Sequence, residues 1–271
     1  MLMTAAGRNR IAKEVGKMEL KWINKSENSI VVVMPTADVN QDFTQRAIKT
    51  FREMDYDILC VQDSGEGFSF ARSMNAGITE TLKNPDYKII GLSNDDVYGY
   101  EPQELPLELI DVWHWDILTP FIVPENNEKI PHSTFTSSTL HYLFNMTVIQ
   151  KAPFHAIRQI RYIKKHTKHK KFIIPMPSLN EHMCVQPTAF FKRYVLEGDQ
   201  FDENFKNGVE DDDLTYRLIK KGYTFVTTGT IHHMTGASFK PLKQKDSSNY
   251  YGNKTHLLDN VVYFSDKHTE E

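Results

Sequence analysis

Cysteine is scarce: Cys60 and Cys184 are the only two in 271 residues. That is too few for a disulfide framework, and Cys60 lies in an apolar run that reads as a buried strand, so a reducing, cytoplasmic setting is expected. Long hydrophobic runs are missing too. The longest, residues 30–34 and 88–92, fall far short of the roughly 20 residues that a membrane-spanning helix needs. Neither sign of charge dominates, with 32 basic and 35 acidic residues and a net charge of −3. This excludes a protein held on nucleic acid by overall positive charge. No internal repeat or low-complexity tract is present. Arg8, Arg10, Lys13 and Glu14 occupy the place where a secretory signal would need an unbroken apolar stretch, and residues 1–28 read as an appended arm of helical character.

What remains is ordinary in amount, with 40% hydrophobic and 25% charged residues, enough to bury a core in one enlarged α/β domain. Residues 29–35 (SIVVVMP) form a β-branched run ended by proline, the pattern of a strand buried on both faces. Phe43, Ala47, Phe51 and Met54 then recur at helical spacing. A second strand over residues 57–62, a glycine-containing turn, a helix over residues 70–82 and a third strand over residues 87–92 complete a βαβαβ order. That order predicts a parallel, Rossmann-like sheet with right-handed crossovers. Further strands are expected over residues 115–123, 139–148 and 223–227, with a polar loop at 124–138 as an acceptor-side insertion.

Ligands of such sheets bind beyond the carboxyl ends of the strands. The residues there are Pro35, Thr36 and Asp38 after the first strand, Asp63 after the second, and Asn94, Asp95 and Asp96 after the third. Two adjacent carboxylates at ~4 Å repel by roughly 4 kcal/mol at an effective dielectric near 20, a cost that a bound cation reverses. Their hard oxygens select Mg²⁺ or Mn²⁺; a solvated Asn-Asp-Asp turn fits the same residues. Asp63 suits a base or ribose hydroxyl, or equally a turn. Arg72 and Asn75 share a helix face and can help to hold phosphate, though both are also ordinary surface residues.

Residues 210–213 are Glu210, Asp211, Asp212 and Asp213, and Lys220, Lys221 and Gly222 close the same segment. Acids at the start and bases with glycine at the end suit a helix dipole and its cap. Four acids exceed what a cap needs, and a carboxylate made more basic by its neighbours can take a proton from a hydroxyl. His232 and His233 follow a turn and are read either as structural or as completing a metal shell. The basic stretch 158–171 reads either as a solvated helix or as a peripheral contact with the inner, anionic face of a membrane, near a lipid-linked acceptor. It lacks the interleaved aromatics of a nucleic-acid binder.

Taken in order from Ser29 to Phe239, these pieces resemble a family 2 glycosyltransferase of the GT-A fold. The resemblance is carried by VVVMPT, by Asp63-Ser64-Gly65 followed by ARSMNAGI at residues 71–78, by FDENFKNGVEDDDLTYRLIKKGY at residues 201–223, and by IHHMTGASF at residues 231–239. The family's Asp-x-Asp metal motif corresponds to Ser93-Asn94-Asp95, lacking the first aspartate. The resemblance implies an inverting, nucleotide-sugar-dependent transferase with a donor-binding half over residues 29–100. An acceptor-binding and catalytic half spans residues 101–239, and residues 240–271 form a tail or lid. It implies Asp211 as general base beside Glu210, and Asp95, Asp96 and His232 around the metal, with His233 as the alternative ligand. The implied partners are a UDP-, GDP- or dTDP-sugar donor and a glycan, lipid-linked or protein acceptor. A nucleotidyltransferase-like relative of this fold and a catalytically inactive sugar-nucleotide-binding module are the competing readings.

Overall fold

The computed structural model describes residues 18–26, 28–64, 68–101, 115–124, 165–166, 185, 187–205, 208–234 and 254–269. The expected loop at 124–138, apart from Pro124 at the end of β6, the strand at 139–148, Cys184 and the basic stretch 158–171, apart from Lys165 and His166, lie outside the described residues, as do residues 1–17. The elements run β1 (Glu19–Asn24), β2 (Ile30–Thr36), α1 (Asp42–Glu53), β3 (Asp57–Gln62), α2 (Phe70–Thr81), β4 (Ile89–Ser93) and β5 (Val97–Glu101). They continue with β6 (Ile117–Pro124), β7 (Thr188–Lys192), α3 (Arg193–Gly198), α4 (Glu210–Lys220), β8 (Phe225–His233) and α5 (Lys254–Thr269).

One sheet takes up all eight strands, in the order β1-β3-β2-β4-β7-β6-β8-β5. β2 pairs in parallel with β3 and β4, and β6 with β8; β1, β7 and β5 pair antiparallel with their neighbours. Five strands, β2, β3, β4, β6 and β8, therefore run the same way. The fold is α/β around a mostly co-directional sheet, as the βαβαβ order predicts.

Every residue of β2 is buried, and alternation explains why none is polar until Thr36. Val31 and Val33 face one core with Ala71, Met74 and Ile78 of α2, while Ile30, Val32 and Met34 face another with Ala47, Ile48 and Phe51 of α1. A strand that meets helices on both sides has no solvent face to supply with polar groups. The helices on either side keep the β2, β3 and β4 carboxyl ends together at one edge.

Two parts of the sequence reading change. Residues 19–24, assigned to the N-terminal arm, are extended and pair antiparallel with β3. There Trp22 stacks on Tyr87 with centroids 6.1 Å apart. Within the tail, residues 254–269 form a 16-residue helix whose Val261 and Phe264 are fully buried. No described helix is long and apolar enough to cross a membrane.

Gly77 fixes how closely α2 lies on the sheet. A Cβ added there would fall 2.2 Å from Val33 Cγ1 and 2.9 Å from Val61 Cγ2, both fully buried. Gly77→Ala should lower stability by about 1–3 kcal/mol, the usual cost of overpacking. Urea titration is the check, and an unchanged midpoint would contradict this account of the helix–sheet contact.

Candidate active site

Because β3, β2 and β4 are adjacent and parallel, their carboxyl ends open onto one rim, where this class of sheet binds ligands. Pro35 is within β2, opposite Val61. Thr36 is buried, and its hydroxyl meets the Thr44 hydroxyl of α1 at 3.1 Å. Thr44 in turn donates to Asp95 Oδ2 at 3.3 Å, so hydroxyls link the end of β2 to the carboxylate beyond β4. Asp38 forms a local turn: its carboxylate accepts from Asn40 N at 2.9 Å and Asn40 Nδ2 at 3.2 Å.

Asp63, directly after β3, is 1% exposed. Its Oδ2 accepts from Arg72 Nη2 at 2.8 Å and from Ser73 Oγ at 2.9 Å. Both donors sit in the first turn of α2, which Ser69 caps by accepting from Arg72 N. Asp63 Oδ1 has no hydrogen-bond partner among the described residues although it is buried. Such an oxygen costs about 1–3 kcal/mol unless a donor reaches it. Arg72 keeps 39% of its side chain exposed while paired to Asp63. Asn75 is used otherwise: its Oδ1 accepts from Phe201 N at 3.0 Å and its Nδ2 donates to Phe201 O at 2.9 Å. Its Nδ2 also lies 2.9 Å from Glu203 Oε1, so the amide ties α2 to the segment before α4.

Beyond β4, Asn94 N donates to Pro187 O at 2.7 Å, while Asn94 Oδ1 is buried with no partner among the described residues. Asp95 and Asp96 are 7% and 4% exposed. His233 Nε2 lies 3.1 Å from Asp96 Oδ1, whereas His232 stacks on Tyr98 with centroids 5.0 Å apart. Neighbours on a strand point to opposite faces, so only one of the two histidines can meet Asp96. The structure brings His233 there and leaves His232, the preferred ligand by resemblance, on the Tyr98 face. Among the described residues no three Asp, Glu, His or Cys side chains are grouped to hold a metal ion. The two carboxylates and the unpartnered Asn94 oxygen are hard donors that fit a cation completed by water and substrate phosphates rather than an all-protein cage.

The acidic segment forms the first turn of α4. Glu210, Asp212 and Asp213 are buried, and Asp211 is half-buried. Burial, and then the Asp211 charge, push the Glu210 carboxyl up to about 7 against the pull of backbone N–H groups, among them that of Gly208. Burial and the three neighbouring carboxylates raise Asp212 well above the usual range. For Asp213 burial is outweighed by His268, Arg217 and Lys267, which hold it below its ordinary value. His268 Nε2 is 2.8 Å and Lys267 Nζ 2.9 Å from its Oδ1, and Arg217 Nε is 2.9 Å from Oδ2. The turn is entered through Val209 at φ 74°, a left-handed conformation that a β-branched residue adopts at a cost of about 1–3 kcal/mol.

Hydrogen bonds also tie both α4 and the residue after β4 to the segment that leads into β7. Asn94 is bonded to Pro187; two residues back, Val185 N donates to Thr215 Oγ1 at 3.2 Å, and Thr215 Oγ1 donates to Asp211 O at 2.7 Å. The sequence singled out the carboxylates but not the side chains that hold them here: Thr44, Ser73, Thr215 and those of α5. Ser73 sits inside the ARSMNAGI match and was legible there; the others have no local pattern.

No family model matches the chain, and no curated protein matches it. Among solved structures the chain is similar to A197 from STIV, with 11% identity over 77% of this chain and 83% of that one and a TM-score of 0.37. It is similar to a glycosyltransferase involved in the glycosylation of the major capsid of PBCV-1, with 8% identity over 78% and 94% and a TM-score of 0.36. It is also similar to the mannosyltransferase PcManGT from Pyrobaculum calidifontis, solved in complex with GDP-Man and Mn²⁺, with 12% identity over 87% and 69% and a TM-score of 0.39. Two of these three are glycosyltransferases. All three likenesses are distant, and the functional reading rests on this chain's own residues.

The raised Glu210 carboxyl has a signed consequence. Between its ordinary value of 4.5 and about 7, the folded state holds a proton that the unfolded chain releases, so this contribution to stability is full below the lower value and is lost as pH rises through the upper one. Glu210→Gln keeps an acceptor for Gly208 N and cannot ionise. Its melting temperature should gain on the wild type across that window and hold the gain above it. A wild-type-to-variant difference that does not change with pH would refute the assignment.

Proposed function

We propose that the protein is a nucleotide-sugar-dependent glycosyltransferase of the GT-A type, similar to family 2, transferring a sugar with inversion to an acceptor hydroxyl. The observation that carries this reading is a pair of buried oxygens at one sheet edge, Asp63 Oδ1 and Asn94 Oδ1, that lack partners among the described residues, in a chain whose segment around Asn94's partner Pro187 also reaches α4 through Val185 and Thr215. Oxygens of this kind await donors or a cation, and a nucleoside diphosphate with its counter-ion supplies both.

In this mechanism Asp63 Oδ1 accepts an N–H or O–H from the nucleoside, and Arg72, fixed by Asp63 Oδ2, brings its positive charge to the phosphates. Asp95, Asp96 and Asn94 would hold Mn²⁺ or Mg²⁺, which when bound stabilises the diphosphate as its charge develops. His233 orients Asp96 through their contact. Asp211 is the general base: of the four acids in the turn it alone is half-buried and the other three are buried, so a hydroxyl can reach it. It accepts the acceptor's proton, the oxygen bonds to the anomeric carbon, and the bond from that carbon to the diphosphate oxygen breaks on the opposite face. Burying Glu210 beside it makes the pair readier to hold a proton near neutral pH.

The test is to incubate the protein with Mn²⁺ and UDP-, GDP- and dTDP-sugars and to measure nucleoside diphosphate release. Asp211→Asn should lower release by ~10²- to 10⁴-fold while nucleotide binding persists, and Asp63→Asn should weaken nucleotide binding. Release by Asp211→Asn at the wild-type rate would remove Asp211 from the chemistry. Saturable nucleotide binding without release from any donor would favour the inactive module, and pyrophosphate as product a nucleotidyltransferase.

A further inference from the structure

The mechanism leaves α5 without a role, yet this helix grips the acidic turn on both sides. Ahead of the turn, Asn260 Nδ2 donates to Gly208 O at 2.8 Å, and Tyr263 OH and Lys267 Nζ reach Asp202 Oδ2 at 2.9 Å and 2.7 Å. Behind it, His268 and Lys267 hold Asp213. Apolar contacts fill the space between: Tyr263 packs edge-on against Phe205 at 4.9 Å and Phe264 against Tyr216 at 5.6 Å.

The Asn260 contact falls on the peptide that most needs holding. Gly208 and Val209 both have positive φ, 129° and 74°, and Val209 is the residue that directs the chain into Glu210 and Asp211. A β-branched side chain does not stay left-handed unless its surroundings enforce it. Gly208 offers both of its backbone groups to that end, its N–H to the Glu210 carboxylate and its carbonyl to Asn260. Asn260 is itself 4% exposed, so its amide is aimed at this carbonyl with little competition from water.

We propose that Asn260 of α5 is a positioning residue, holding the Gly208–Val209 peptide in its left-handed turn and thereby setting where the Glu210 and Asp211 carboxylates point. This rests on the transferase reading for its effect on turnover, and on the turn alone for its effect on structure. A carboxylate displaced by about 1 Å can cost on the order of 100-fold in rate, so the loss of one amide that touches no substrate should register in kcat.

The experiment is a double-mutant cycle between Asn260→Ala and Val209→Gly in the full chain. Glycine tolerates positive φ without help; a turn that contains it no longer needs Asn260. Asn260→Ala should lower kcat for nucleoside diphosphate release by roughly 10- to 100-fold with the donor KM unchanged, and by under about threefold in the Val209→Gly background. Hydrogen exchange of peptides over residues 208–216, read on the free protein, should quicken in Asn260→Ala and recover in the double variant. Equal kcat losses in both backgrounds would mean a general structural defect and overturn the proposal, as would unchanged exchange over these residues. A wild type that turns over no donor sinks the transferase reading; exchange then judges the clamp alone, with faster exchange supporting it and equal rates overturning it.

Discussion

Four consecutive carboxylates at the start of α4 must be kept beneath or near the surface, and much of the C-terminal half is arranged around that requirement. Buried carboxylates are costly unless paired or protonated, and the chain uses both remedies. Asp213 is surrounded by Arg217, Lys267 and His268 and stays ionised. Glu210 and Asp212 have no cation against them in the described contacts and are pushed toward the neutral form. The helix N-terminus favours negative charge by a further 0.3–1 kcal/mol or so per group. The result is a graded turn in which one acid is locked, two are reluctant to ionise and one faces outward.

How much of this was legible in the sequence depends on the range of the interaction. β2, α1, β3, α2 and β4 follow from local patterns, because a strand buried on both faces must be continuously apolar and a helix on such a sheet must repeat its apolar residues at helical spacing. The place of Asp63 and residues 94–96 at the rim was legible by position, since in a parallel sheet the residues after the strands are the ones at the rim. The failures occur where a partner lies far along the chain. Nothing near Asn75 reveals that its amide closes on Phe201, 126 residues away, and nothing near His233 tells it from His232 until β8 is set against its neighbours.

α5 was missed for a different reason. Among its described side chains, Asn260, Tyr263, Lys267 and His268 dock through hydrogen bonds and ion pairs, beside the buried Val261 and Phe264. A helix that docks through hydrogen bonds looks like a solvated tail when read for hydrophobic periodicity. β1 was overlooked in the same way: it is an edge strand whose residues are exposed or half-buried, so it shows little of the alternation that betrays a strand.

The strand order carries one more consequence, about how the molecule can be divided. β4 pairs along its length with β7, while β5, the next strand in the chain after β4, crosses to the far border of the sheet and pairs with β8. A shared sheet has no hinge along that line, so the two sides of the β4–β7 seam cannot part like the jaws of a clamshell. The first hundred residues are no portable cassette either. Cut away, they would bare the β4 edge with its row of unpaired amides and carbonyls, an invitation to stack on the next copy.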